Sequence, residues 1–303
     1  MVSIHPLRRF PKIVFSALFL AACVSVAHAQ FELPALNTPP SGEHHVGKII
    51  WADLVTPDLS AAEKFYGGLF GWTFQRTHAG TSDYSVAMLD GRPIGGFFEK
   101  PIQAGQHKQP YWLTFIAVRE VGAAMRVALA HGGKMVADPR TYPQRGEQAV
   151  LSDPEGAVFA VLASSSGDPP DYLAAPGDWI WSSLMSKDAG AAAAFYQQVF
   201  GYDVFDMEAA DGLEHLTLSS DDYARASVNS FSGTARRYSH WLNFVRVGNV
   251  TDAAAKAVAM GGRVLVEPRA DRAGGMLAVV ADPTGAPFGL MDWDASETKT
   301  EPK

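Results

Sequence analysis

One cysteine, Cys23, stands in the 303 residues, so no internal disulfide can form. Basic runs are missing too. The formal charge is −7 and the Lys and Arg residues are scattered, so nucleic-acid binding has no electrostatic footprint. Gly and Pro, at 28 and 19, are too few for a disordered chain. There is no G-x-S-x-G elbow, no P-loop and no H-E-x-x-H. The glycine-rich GRPIGG, Gly91 to Gly96, lies between short strand-like runs and not before a helix. It reads as a hairpin turn and not a phosphate cradle. What remains is an ordinary globular composition, 47% hydrophobic and 19% charged, sufficient for more than one core.

The N-terminus is a different kind of sequence. Arg8, Arg9 and Lys12 form a positive region ahead of an apolar run, Ile13 to Ala22, too short to span a bilayer with margin. The pattern predicts an export signal over residues 1–29 and a location outside the cytoplasm. LAAC, Leu20 to Cys23, has the form of a bacterial lipobox, in which the cysteine is lipidated. AHAQ, Ala27 to Gln30, fits cleavage after Ala29. Both readings stay open: a periplasm-facing lipoprotein anchored at Cys23, or a soluble periplasmic protein. A lipid at Cys23 is the expected membrane contact. Removing the leader takes away three cationic residues and no acidic one, leaving a more acidic surface. Residues 30–46, with Pro34, Pro39, Pro40 and Gly42, read as a tether.

The rest is written twice. WADLVTPDLSAAEKFYGGLFGW, Trp51 to Trp72, returns as WSSLMSKDAGAAAAFYQQVFGY, Trp181 to Tyr202. Trp51, Leu54, Asp58, Phe65, Tyr66, Phe70 and Gly71 all recur. Further on, YWLTFIAV (Tyr111 to Val118) returns as HWLNFVRV (His240 to Val247), and DPEGAVF (Asp153 to Phe159) as DPTGAPF (Asp282 to Phe288). Conserved order and spacing over about a hundred residues means two copies of one domain. Their expected limits are 47–165 and 178–294, with a linker over 166–177 and a polar tail over 295–303.

Each copy contains a fainter doubling. Ile49 to Val55 is strand-like. Asp58 is placed to cap a helix whose apolar positions include Ala62, Phe65 and Leu69, and Gly71 is placed to end it. Short strands follow over Trp72–Arg76, Tyr84–Leu89 and Gly95–Glu99. The order repeats from Trp112 to Leu162, with a helix over Val121–Ala130. The fold expected is α+β, with four βαβββ modules forming two tandem domains.

That order, the PDL…FY…FGW opening and the DPxG-x2-F close resemble the vicinal-oxygen-chelate superfamily, which includes glyoxalase I, bleomycin- and fosfomycin-resistance proteins and extradiol dioxygenases. The resemblance covers about residues 46–293. It implies paired modules curled around a cleft, with metal ligands, usually His and Glu, on the first and last strands. This chain has Trp51, Leu113 and Ala160 at those positions in copy one, and Trp181, Leu242 and Gly289 in copy two. None of these binds a metal. Glu99 is one surviving carboxylate, and a shift in alignment would bring in Asp53 or His240. No cofactor is expected on this reading. Glu43, His44 and His45 read either as a loose metal trio or as solvated tether.

Strand alternation puts Trp51, Asp53 and Val55 on one face and Ile50, Ala52 and Leu54 on the other, under the helix. Trp181 and Ser183 take the cleft face of copy two. The expected ligand-binding residues are therefore Trp51, Asp53, Trp181, Ser183, Glu99 and His240. Two readings of the tryptophans stay open: they line a cleft for an aromatic, apolar or cationic molecule, or they fill the former metal cavity. The leading functional expectation is an exported small-molecule-binding protein, related to the resistance proteins and without a bound metal. The alternatives are a lyase, isomerase or dioxygenase requiring a divalent ion, and an envelope interaction module. Four modules in one chain can satisfy all pairing internally, so a monomer is expected, with a dimer as the alternative.

Overall fold

The computed structural model describes residues 32–79, 82–100, 109–207, 212–231, 238–272 and 274–293. The leader, Cys23 and the 295–303 tail lie outside them. The first copy runs β1 (Ile49–Thr56), α1 (Leu59–Phe70), β2 (Thr73–Ala79), β3 (Ser82–Leu89), β4 (Arg92–Glu99), β5 (Tyr111–Ala117), α2 (Val121–Ala130), β6 (Lys134–Tyr142), β7 (Gly146–Ser152) and β8 (Val158–Ser164). The second repeats it as β9 (Trp179–Ser186), α3 (Ala189–Phe200), β10 (Asp203–Asp206), β11 (His215–Ser220), β12 (Tyr223–Ser230), β13 (His240–Arg246), α4 (Val250–Ala259), β14 (Arg263–Ala270), β15 (Met276–Ala281) and β16 (Pro287–Met291). Four βαβββ modules are present, as the sequence predicts.

Each copy forms one eight-stranded sheet, ordered β2-β3-β4-β1-β5-β8-β7-β6 in the first and β10-β11-β12-β9-β13-β16-β15-β14 in the second. The two modules of a copy meet through their first strands. β1 lies parallel to β4 and antiparallel to β5, and β9 lies likewise between β12 and β13. GRPIGG is a hairpin: Asp90 and Gly91, both with positive φ (51° and 78°), turn β3 into β4.

Local chemistry sets the helix ends. Asp58 accepts a hydrogen bond from the Ala61 amide at 2.9 Å, and Asp188 from the Ala191 amide at 2.8 Å. Gly71 and Gly201 close α1 and α3 at φ 78° and 74°, where a Cβ would be strained.

The helices pack across copies, not only onto their own sheets. Ala62, Phe65, Tyr66 and Leu69 of α1 share a core with Val250, Ala254 and Ala257 of α4 and with Phe288. Val121, Ala124 and Ala128 of α2 share the other with Ala192, Phe195 and Tyr196 of α3. The hydroxyl of Tyr66 donates to Asp282 at 3.2 Å and that of Tyr196 to Asp153 at 3.4 Å. Each hydroxyl in turn accepts from a buried indole, Trp112 at 3.0 Å and Trp241 at 2.9 Å. Trp72 donates to the Gly177 carbonyl just ahead of β9, and Tyr202 to the Gly47 carbonyl just ahead of β1. The doubled aromatic motif is thus scaffold, and each copy of it clamps the opposite copy.

The stretch expected as a tether is packed from Leu33 onward. Leu33 and Leu36 are each 3% exposed. Asn37 and Ser41 bond the 166–168 segment: the Asn37 side chain donates to the Gly167 carbonyl at 2.8 Å and the Ser41 hydroxyl to the Asp168 carbonyl at 2.7 Å. The linker is equally held, through Asp171, which pairs with both Lys48 and Arg225 at 2.7 Å. Tether-like composition misleads here because two leucines and a few well-placed polar groups suffice to dock a proline-containing segment.

Candidate functional site

In each copy the sheet face turned away from the helices carries a cluster of its own. In copy one that face carries Trp51, Tyr84, Val86, Met88, Leu113, Phe115, Ala160 and Leu162. A register shift between Ile49 and Trp51 brings Ile50 into the same cluster, although alternation alone assigns it to the helix side. Ala52 and Leu54 lie under α1, as predicted.

Trp51 is 3% exposed, and its indole donates to Asp53 Oδ1 at 2.7 Å. The Tyr84 hydroxyl donates to the same oxygen at 2.8 Å. Gly96 makes room for this pair: a Cβ there would lie 1.8 Å from the Tyr84 hydroxyl and 2.3 Å from Asp53 Oδ1. Burial pushes the Asp53 carboxyl above its usual range, opposed by the Arg145 charge and by the two donors. Burial likewise raises the Tyr84 phenol well above its usual value.

Arg145 is the residue sequence reasoning missed. It is 0% exposed, its guanidinium lies 4.0 Å over the Trp51 ring, and its Nε donates to the Pro34 carbonyl at 2.7 Å. Nη1 and Nη2 find no hydrogen-bond partner. Leaving buried donors unpaired typically costs about 1–3 kcal/mol each. Leu33 and Leu36 complete the cluster over this face, so the chain's own segment occupies the first cleft. The signal lay in the difference between copies: where the first has Arg145-Gly146, the second has Gly274-Gly275.

Copy two keeps the shape and changes the contents. Its concave face carries Ile180, Trp181, Leu242, Phe244, Leu277, Val279 and Met291. Trp181 is half-buried, as are Thr217, Ser219 and Met291, while their counterparts Trp51, Val86, Met88 and Leu162 are buried. The Trp181 indole donates to Ser227 Oγ at 3.1 Å, and Ser183 and Ser227 share a hydroxyl hydrogen bond at 2.7 Å. Asn229 donates to Ser227 at 3.0 Å and meets His215 Nδ1 at 2.8 Å. A polar wall of hydroxyl, amide and imidazole groups therefore borders an apolar floor. Register aligns Ser227 with Gly96 and His215 with Tyr84.

The structure brings Trp51 with Asp53 together in one cleft and Trp181 with Ser183 in the other. Glu99 and His240 join neither group. Glu99 accepts from the Leu59 amide at 3.2 Å and so serves the start of α1. His240 is exposed at the start of β13, where it donates to the Tyr238 carbonyl at 2.7 Å and stacks on Phe231. His45 is tied to Glu43 at 2.7 Å beside Asp221.

A divalent ion does not suit the donor set present. Leu113, Ala160, Leu242 and Gly289 offer no donor. A Cβ on Gly289 would lie 2.0 Å from the Phe244 ring, so a phenyl group fills the space a last-strand carboxylate would need. Among the described residues no group of three or more His, Cys, Asp or Glu converges.

The sequence profile described as a glyoxalase-like domain matches residues 50–162 and again 182–291. The chain belongs to the glyoxalase-like family. A Mycobacterium tuberculosis protein named as a glyoxylase, CFP32, is 31% identical over 255 residues, covering 84% of this chain and 97% of the relative. The anthracycline biosynthesis protein DnrV of Streptomyces peucetius is 29% identical over 258 residues, covering 81% and 93%. Among solved structures, an Mn(II)-bound glyoxalase from Novosphingobium aromaticivorans matches with TM-score 0.58 at 15% identity, over 82% of both chains. An extradiol ring-cleaving dioxygenase from B. fuscum matches with TM-score 0.59 at 13% identity, over 89% of this chain and 78% of that one. At such identities these two establish the vicinal-oxygen-chelate fold alone.

Proposed function

We propose that this glyoxalase-like protein binds a planar aromatic or apolar small molecule in the domain-two cleft, outside the cytoplasm and without a divalent ion. The carrying observation is the half-buried Trp181 between an apolar floor and the Ser183–Ser227–Asn229 wall, on the sheet face away from the helices. A ring stacked on the indole gains dispersion and quadrupole contacts, and the wall offers hydrogen bonds to fix its orientation. The relationship to proteins of anthracycline biosynthesis supports an aromatic ligand, since anthracyclines are polycyclic aromatics. The leader supports export, by lipidation at Cys23 or by cleavage after Ala29.

The test is tryptophan fluorescence of the purified protein titrated with a panel of polycyclic aromatics, repeated on Trp181→Phe. Quenching that saturates in the wild type and is lost in the variant supports the reading, and a panel with no quencher refutes it. A second reading, a metal-dependent enzyme, draws on the likeness to an Mn(II)-bound glyoxalase. Stoichiometric Mn, Fe, Ni or Zn surviving dialysis would favour it over the first.

A further inference from the structure

We propose that the domain-one cleft is a second binding site, for an apolar molecule ending in a carboxylate, and that Leu33 to Leu36 occupy it as a displaceable strap. This goes beyond the domain-two reading and does not rest on it.

The strap has the chemistry of such a ligand. Leu33 and Leu36 fill the apolar part of the cleft, and between them the Pro34 carbonyl supplies one oxygen to Arg145 Nε. One neutral acceptor is a poor match for a guanidinium fork. Nη1 and Nη2 stay unpaired in a fully buried group. A carboxylate supplies the two-oxygen acceptor whose geometry fits that fork. Asp53 does not satisfy it, because Oδ1 is committed to Trp51 and Tyr84, and no contact of this carboxylate relieves either Nη. Arg145 is also no part of the shared scaffold, since copy two folds with Gly274 in its place.

Among the described residues the strap is fastened at its C-terminal end. From residue 36 onward it is sewn down: the amides of Leu36 and Asn37 donate to Ser166 Oγ at 3.1 and 3.2 Å, and Ser41 bonds the Ser166 and Asp168 carbonyls. Ahead of that point, among the described residues, burial of Leu33 and the Arg145–Pro34 bond hold it. A cavity of about 270 Å³ lies beside the anchored end, lined by Leu36, Asn37, Arg92, Tyr172 and Asp178.

The probe is sodium octanoate, with octan-1-ol as the neutral isostere, titrated calorimetrically into the full chain. Wild-type protein is compared with the double variant Leu33→Asn, Leu36→Asn, which removes the apolar burial of the strap without adding a carboxylate. Octanoate is expected to bind the double variant at least tenfold tighter than wild type and at least tenfold tighter than octan-1-ol. Adding Arg145→Met should abolish the preference for the acid. Equal affinity for the wild type and the opened variant overturns the strap, and equal affinity for acid and alcohol overturns the role of Arg145. Should the variant fail to fold, hydrogen exchange on the wild type decides. Octanoate at millimolar concentration should speed exchange of the Leu33 amide, in the buried part of the strap ahead of the anchored end, at least threefold, and unchanged exchange overturns the proposal. Because the readouts involve the strap and the carboxyl group, failure here leaves quenching at Trp181 untouched, and the reverse holds too.

Discussion

At one strand position the first copy has Asp53 and the second Ser183. Opposite it stand Gly96 and Ser227, and one strand further out Tyr84 and His215. In the first copy a buried carboxylate takes two donors and sits near a buried arginine, all beneath the chain's own leucines. In the second, hydroxyls and an amide make a neutral network at a half-exposed surface. The helical faces barely differ: the Tyr–Asp latch, the buried indole and the glycine cap are the same on both sides. The joint between copies is alike on both sides, and each half of it bonds the other. The concave faces carry no such mutual constraint.

The largest separation between the clefts should come from the tryptophans. Trp51→Ala removes a fully buried ring, leaves a cavity and strips the Asp53 carboxylate of a donor, so a loss of about 3–5 kcal/mol is expected. Trp181→Ala at the half-exposed position should cost only about 1–2 kcal/mol. Urea unfolding of both variants measures the difference. Equal losses would mean that the second cleft is as closed as the first.

Next come the small residues. Gly96→Ser puts the second copy's residue into the first, with its Cβ driven against the Tyr84 hydroxyl and Asp53. A loss of about 1–3 kcal/mol should follow, partly relieved by adding Tyr84→Phe. The reverse change, Ser227→Gly, removes the acceptor of the Trp181 indole and should cost about 1 kcal/mol. Thermal unfolding of the three variants would show whether the asymmetry is real.

Where the sequence could be read and where it could not follows the same divide. The four modules, the Asp58 cap, the Gly71 terminus and the helix-facing Ala52 and Leu54 were legible because local periodicity and capping chemistry fix them. That Tyr66 reaches Asp282 was not legible, because nothing local says which copy a buried hydroxyl will meet. Trp51 and Asp53 were placed correctly on the concave face by alternation. Arg145 was invisible because it lies in a turn, where periodicity carries no information, and the strap because its composition is that of a linker. Glu99 looked like a ligand by type, yet its position at the end of β4 puts it over the start of α1.

A smaller and more even effect tests the fixed half of the comparison. Tyr66→Phe and Tyr196→Phe each delete a hydroxyl that donates to a buried aspartate and accepts from a buried indole. Each should cost about 1–2 kcal/mol, and the two losses should agree within about 0.5 kcal/mol. Guanidinium unfolding gives both numbers. Unequal losses would show that the joint too has drifted.

The finest contrast is one of slope. The Asp53 carboxyl is held above the ordinary aspartate value of 3.8 chiefly by burial. In the folded chain it therefore keeps its proton to higher pH than in the unfolded chain. Stability contributed by this group is full below about 3.8 and falls as pH rises toward the folded value. Asp53→Asn keeps an oxygen to accept from Trp51 and Tyr84 but does not titrate. The stability of the variant relative to wild type should therefore increase from pH 3.5 upward and level off once Asp53 is ionised in the folded chain. Ser183→Ala, at the matching position of copy two, should show a pH-independent difference over the same range. Asp153, Asp168 and Asp282 are also held high by burial, but they are common to variant and wild type and cancel in the difference. A relative stability that instead decreased with pH would mean that Arg145 outweighs burial. The first cleft would then hold a true ion pair, with no appetite for an incoming acid.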